Sequence, residues 1–238
     1  MARVMDIRTP LGDALLFHSM SASEALGRLA EYQIGVVSEK NDLDPDKLLG
    51  KNVTVRLEIP DADPRFFDAY VIRFALSGMR GRYHYYQIVA RPWLWFLTRA
   101  SDCRIFQDKK APEIIQQIFE KYSNASFEMR LSGSYRTRTY CVQYRETDFN
   151  FVSRLMEQEG IYHYMKHAEG KHTVVLTDSY SGHAPYPGYE QIPFMASGRA
   201  VRPEQEHITD WVFSREIQTG AYVIDDYDFE KPSVELQT

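Results

Sequence analysis

Four groups of residues have types and spacing that could do chemistry. His163, His167 and His172 could be a metal cluster. On a strand, however, residues 163 and 167 share a face about 13 Å apart, too far to share one ion, so they read as edge or surface histidines. Asp178, Ser179 and His183 have the residue types of a hydrolytic triad. They lie in a loop rich in Pro and Gly, and triads are made by geometry rather than by nearness in sequence. Asp42, Asp44 and Asp46 copy the first ligands of a calcium loop, but Lys47 and Val53 stand where it needs Gly and Glu. Cys103 and Cys141 lack the close pairing of a metal or redox motif and read as free thiols of a reducing compartment. The hydrolase, zinc-protease and nucleotide signatures GxSxG, HExxH, GxxxxGK[ST] and GxGxxG are absent. The expectation is therefore no catalytic residue, no metal and no cofactor.

The elements that would position such residues are mostly strands. Residues 53–59 alternate cleanly, residues 66–76 and 82–91 read as a hairpin joined at 78–81, and residues 32–38 have β composition. Ser21-Ala22-Ser23-Glu24 reads as a capping box that starts a short helix with Leu26 and Leu29 facing inward. The first ninety residues thus predict about six short strands and one small helix, the pattern of an antiparallel barrel or sandwich.

After Trp95 the composition shifts. Pro112 opens a helix with a stripe of Ile114, Ile115, Ile118 and Phe119. The most informative stretch is YRETDFNFVSRLMEQEGIYHYM, residues 144–165. Thr147 is placed as an N-cap and Asp148 in the first turn, where its charge suits the helix dipole. Phe149, Val152 and Met156 form an apolar stripe, Phe151 and Leu155 a second row, and Gly160 is the stop. This segment is read as a structural clasp: a helix that packs one face down and hands the chain to a strand. Residues 178–203 read as loop, and strand character returns at 208–213 and 222–229.

Composition narrows the function classes. The 238 residues are 44% hydrophobic and 26% charged, with net charge -5 and 29 Tyr and Phe residues (16 and 13). An acidic balance argues against a nucleic-acid partner, so Tyr83, Tyr85 and Tyr86 beside Arg80 and Arg82 read as a barrel hairpin and not a base-stacking surface. The longest apolar run, around 93–97, is far below the roughly 20 residues of a membrane-spanning segment. The N-terminus lacks the apolar core and cleavage site of a signal peptide. The sequons at Asn52 and Asn124 are then chance matches.

Four segments carry a family resemblance: TPLGDALLFHSMSASEALGRLAEYQIGVVSEK at 9–40, LLGKNVTVRL at 48–57, the clasp at 144–165, and GAYVIDDYDFEKP at 220–232. In these the chain resembles the N-terminal part of the VgrG family, the spike of the bacterial type VI secretion system. That part is similar to the hub of contractile phage tails. The resemblance implies a mainly β fold with an α+β insertion, built from antiparallel β-barrels of phage tail hub type. Residues 1–97 would be the first β-barrel, 98–178 the α+β insertion domain, and 179–238 a linker and the start of a second β-barrel. It further implies a structural, non-enzymatic hub. Three chains would present six barrels to a hexameric Hcp-like tube, with baseplate components and effector proteins as further partners. Assembly in the bacterial cytoplasm and export by the machine itself, without a signal peptide, would follow. Full family members continue into an OB-fold and a needle. The chain is thus expected to be truncated, with weakened homotrimer contacts. The alternatives are a phage tail hub and, further off, a hydrolytic effector using the 178–183 loop or Cys103.

Overall fold

The computed structural model describes residues 4–59, 63–185, 190–196 and 207–237. It divides into two units, residues 1–190 and 191–238.

The first unit begins with six antiparallel strands: β1 Met5–Arg8, β2 Leu16–Ser23, β3 Glu31–Ser38, β4 Asn52–Leu57, β5 Arg65–Arg80 and β6 Tyr83–Arg91. They form one sheet in the order β1-β4-β5-β6-β3-β2. The terminal strands β1 and β2 approach each other, so the sheet curls into a nearly closed barrel. Period-two alternation supplies the interior: Tyr32, Ile34 and Val36 on β3, Val53 and Val55 on β4, Ala69 and Val71 on β5, Ile88 and Ala90 on β6. Bulges between Phe17 and Ser19, Val71 and Arg73, and Leu76 and Gly78 add the local bends that curvature needs.

The expected helix at Ser21 does not form. Ser21, Ala22 and Ser23 extend β2 and pair with Gln33, Tyr32 and Glu31. Glu24 accepts the Tyr32 hydroxyl instead of capping a turn, and Leu26 is exposed while Leu29 packs on the second core. A capping box offers two local hydrogen bonds, and the ladder with β3 offers more.

A 3-10 turn at Trp93–Arg99 carries the chain into a second core. There β7 Ser101–Lys109 pairs with β9 Arg138–Thr147, and β10 Tyr162–Ala168, β11 Lys171–Thr177 and β8 Phe127–Arg130 form a mixed sheet with β8 parallel to β11. Helices α1 Ala111–Phe119 and α2 Asp148–Glu159 cover this core. Strand β7 carried no sequence signal, because its polar and apolar residues alternate only weakly.

In the second unit the strands expected at 208–213 and 222–229 are not formed. Its described ladder contact is a single parallel bridge between Phe194 and Ile208. A strand exists only as half of a pair, and β composition alone does not make one. Trp211, Phe213, Tyr222, Tyr227 and Phe229 are exposed. The rest of the loop expected at 178–203 lies partly outside the described residues.

Candidate functional site: a histidine and aspartate seam

Two buried residues, Asp68 and His172, and the partly buried His167 join the hairpin β10–β11 to the barrel sheet. A two-residue turn, Glu169 and Gly170, fixes the hairpin register and sets His167 opposite His172. Gly170 takes φ +69°, which suits glycine in such a turn. The two rings lie side by side, 6.3 Å between centroids. Both reach Asp68 on β5, whose side chain is 0% exposed.

His172 Nδ1 donates to Asp68 Oδ1 at 2.7 Å, and its Nε2 accepts the Trp93 backbone N–H at 2.8 Å. That N–H opens a helical turn and would otherwise lack a partner. His167 Nδ1 accepts the Asp68 backbone N–H at 3.1 Å. This donor faces the side of β5 where the ladder with β6 has ended, at the pair Tyr70 and Arg91. The hairpin imidazole thus stands in for a missing strand carbonyl. On the other side, His167 Nε2 meets the Tyr32 hydroxyl at 3.1 Å, and that hydroxyl donates to Glu24 at 2.5 Å. Asp68 is completed by Asn52 Nδ2 at 2.8 Å and Thr54 Oγ1 at 2.6 Å.

The backbone donors assign the tautomers: each ring accepts at one nitrogen and donates at the other. Burial holds the His172 imidazole below the ordinary histidine range, outweighing the upward pull of Asp68. Burial and then the Glu24 carboxylate push the Tyr32 phenol far above its ordinary value. Burial also lowers His163, a side chain that the sequence placed at an edge or surface and that is 1% exposed. The backbone of Arg28 lies near its ring, yet neither ring nitrogen meets a partner with hydrogen-bond geometry. Since every nitrogen of His167 and His172 is engaged, the pair offers no lone pair to a metal. Among the described residues no group of three His, Cys, Asp or Glu side chains is arranged to hold one.

The clasp residues meet in one place. Thr147 Oγ1 accepts the Asn150 N–H at 3.1 Å, and Gly160 closes the helix at φ 70°. Val152, Leu155 and Met156 are buried in the second core with Phe151, and Phe149 is half-buried at its margin. Asp148, which the sequence placed for its charge on the helix dipole, is also a buried anchor. It accepts Gln143 Nε2 at 2.8 Å, the Tyr122 hydroxyl at 2.9 Å and Arg104 Nη1 at 3.1 Å.

The triad types do not converge. Asp178 accepts the N–H of Ser132 at 3.0 Å and of Gly133 at 2.6 Å, and the Tyr135 hydroxyl at 2.7 Å. Burial pushes its pKa up, but these bonds outweigh it and hold the carboxyl well below the usual range. His183 instead bonds the Tyr162 hydroxyl at 2.8 Å and stacks on Tyr162 and Tyr164. Asp44 caps a 3-10 turn by accepting the Asp46 N–H. Cys103 is exposed, Cys141 is buried, and both are free.

Comparison with known proteins gives the class to which this barrel and α+β lobe belong. The family model described as phage tail baseplate hub matches residues 23–238. The chain belongs to that family. The type VI secretion system spike protein VgrG1a of Pseudomonas aeruginosa is 43% identical over all 238 residues, which span 37% of that protein's length. Among solved structures, the E. coli c3393 protein, a type VI component described as similar to phage T4 tail proteins, superposes with TM-score 0.60 at 20% identity. The match covers 76% of this chain and 52% of that one. A chain of the Francisella PdpA–VgrG complex gives TM-score 0.56 at 12% identity, covering 74% and 31%.

Proposed function

We propose that the chain is the hub part of a type VI secretion spike. The observation that carries this reading is 43% identity to a spike protein along the whole chain. In its full-length form the protein is a homotrimer that seats on an Hcp-like hexameric tube, joins it to a puncturing needle and carries effector proteins among baseplate components. Its role is mechanical and not catalytic. It is assembled in the bacterial cytoplasm and leaves by the machine itself. Residues 1–97 act as a first barrel, 98–178 as the insertion domain and 179–238 as linker and start of the second barrel. The exposed aromatic residues at 211, 213, 222 and 229 then supply its unpaired strands. Thr147, Phe149, Val152, Leu155, Met156 and Gly160 serve as the clasp of the insertion.

A chimeric spike tests this. The corresponding region of a Pseudomonas aeruginosa spike is replaced by these 238 residues in a strain lacking its other spike genes. Release of the tube protein into the medium is expected to persist. A stable, trimeric chimera that releases none would overturn the reading. The second reading, a phage tail hub, draws on the phage description of the matching family model. It expects that silent chimera, together with rescue of particle assembly in a hub-deficient contractile phage.

A further inference from the structure

We propose that the His167–Asp68–His172 seam is an acid-released latch: proton uptake by its histidines frees the β10–β11 hairpin from the barrel sheet while helix α2 stays packed. The geometry makes the contact incompatible with a charged ring. His172 Nε2 and His167 Nδ1 each face a backbone N–H, of Trp93 and of Asp68. A protonated imidazole has a donor at both nitrogens, so either ring would set N–H against N–H with no acceptor between them.

Polar and charged groups face the seam from each element packed against it. Strand β5 presents the Asp68 carboxylate and the Tyr70 ring, 5.5 Å from His172. Strand β3 presents the Tyr32 hydroxyl, and the segment after β2 presents Glu24, 3.3 Å from His167 Nε2. Arg65 lies close enough to act on both Tyr32 and Glu24. Strand β4 contributes the uncharged Asn52 and Thr54. From β11, Lys171 shares with His172 and Tyr70 a polar pocket of about 280 Å³, a route for water and protons. Asp68 and Glu24 favour the cation, but each addresses one nitrogen of a ring whose other nitrogen faces a fixed donor.

Two other ties hold the hairpin tip, and neither involves a histidine. The Gly170 N–H donates to Thr54 Oγ1 at 3.2 Å, and Glu169 pairs with Arg8. One backbone bond, from the Gly27 N–H to the His163 carbonyl at 2.8 Å, also ties β10 to the segment after β2; the hairpin ladder itself runs between β10 and β11 and on to β8, so it can persist when the hairpin parts from the barrel.

The sign follows from the buried ring. His172 binds protons more weakly in the closed latch than in the open one, where its pKa is about 6.5. The closed form is therefore fully favoured above that pH. It loses ground as pH falls from about 6.5 toward the depressed closed-state value. Through His172 the opening constant rises by up to about tenfold per pH unit in that window.

Hydrogen exchange of the whole chain between pH 7.5 and 5, corrected for intrinsic rates, tests this. Protection at 66–70 and 162–177 is expected to fall below pH 6.5, by up to about tenfold per unit, while 148–159 keeps its protection. His172→Gln, whose amide can accept from Trp93 and donate to Asp68, is expected to flatten that fall. Imidazole ¹⁵N spectra of the unaltered chain give a second readout that does not depend on the variant folding. They are expected to show neutral His172 while the hairpin is protected. A charged His172 in a protected hairpin, a pH-independent hairpin, or equal loss in 148–159 would each overturn the latch.

Discussion

Helix α2 and the histidine seam both hold the α+β lobe in place, but with different materials. The helix buries Phe151, Val152, Leu155 and Met156, four apolar side chains drawn from six consecutive positions. The seam buries Asp68 and His172, 104 residues apart in the chain, beside the partly buried His167. Apolar burial is non-directional and tolerates small shifts. A buried carboxylate with imidazoles is directional, so every donor and acceptor must be met or the group costs free energy. The apolar stripe of the helix therefore holds no titratable group, and the seam gives a specific and conditional join.

That contrast can be broken experimentally. Asp68→Ala leaves the Asn52, Thr54 and His172 donors without an acceptor, and is expected to cost about 4 kcal/mol in urea unfolding at pH 7.5. A loss under about 1 kcal/mol would mean that the seam is decorative. Leu155→Ala opens a cavity beneath α2 and is expected to cost about 3 kcal/mol, with the same value at pH 7.5 and pH 6. A pH-dependent loss there would erase the distinction between the two regions. The smallest effect is expected from Thr147→Ala, about 1 kcal/mol, because only the Asn150 N–H loses its cap. Amide exchange confined to the first turn of α2 checks it.

The two regions also differ in how far they were legible. Helix α2 was readable down to its cap and stop, since the Thr147 cap, the 3-4 spacing and the Gly160 stop are each a signal carried by residues only a few positions apart. The barrel strands were readable from alternation, but the small helix at Ser21 was wrong because pairing with β3 outweighed a local cap. Of the seam, the hairpin turn between His167 and His172 was within reach: a two-residue turn ending in Gly fixes which residues face each other. Nothing along the chain marked Asp68 as their partner.

The sequence by itself determined the β-rich class, the two amphipathic helices and the family. Each of these rests on periodicity, capping or residue order, which are properties of neighbouring positions. Only the tertiary structure decided that His163 and His172 are buried, that Asp178 and His183 serve different contacts, and that the end of β5 accepts a hairpin ring where β6 has stopped. Those facts depend on which distant segments meet, and hydrogen-bond satisfaction in a closed interior is settled only when they do.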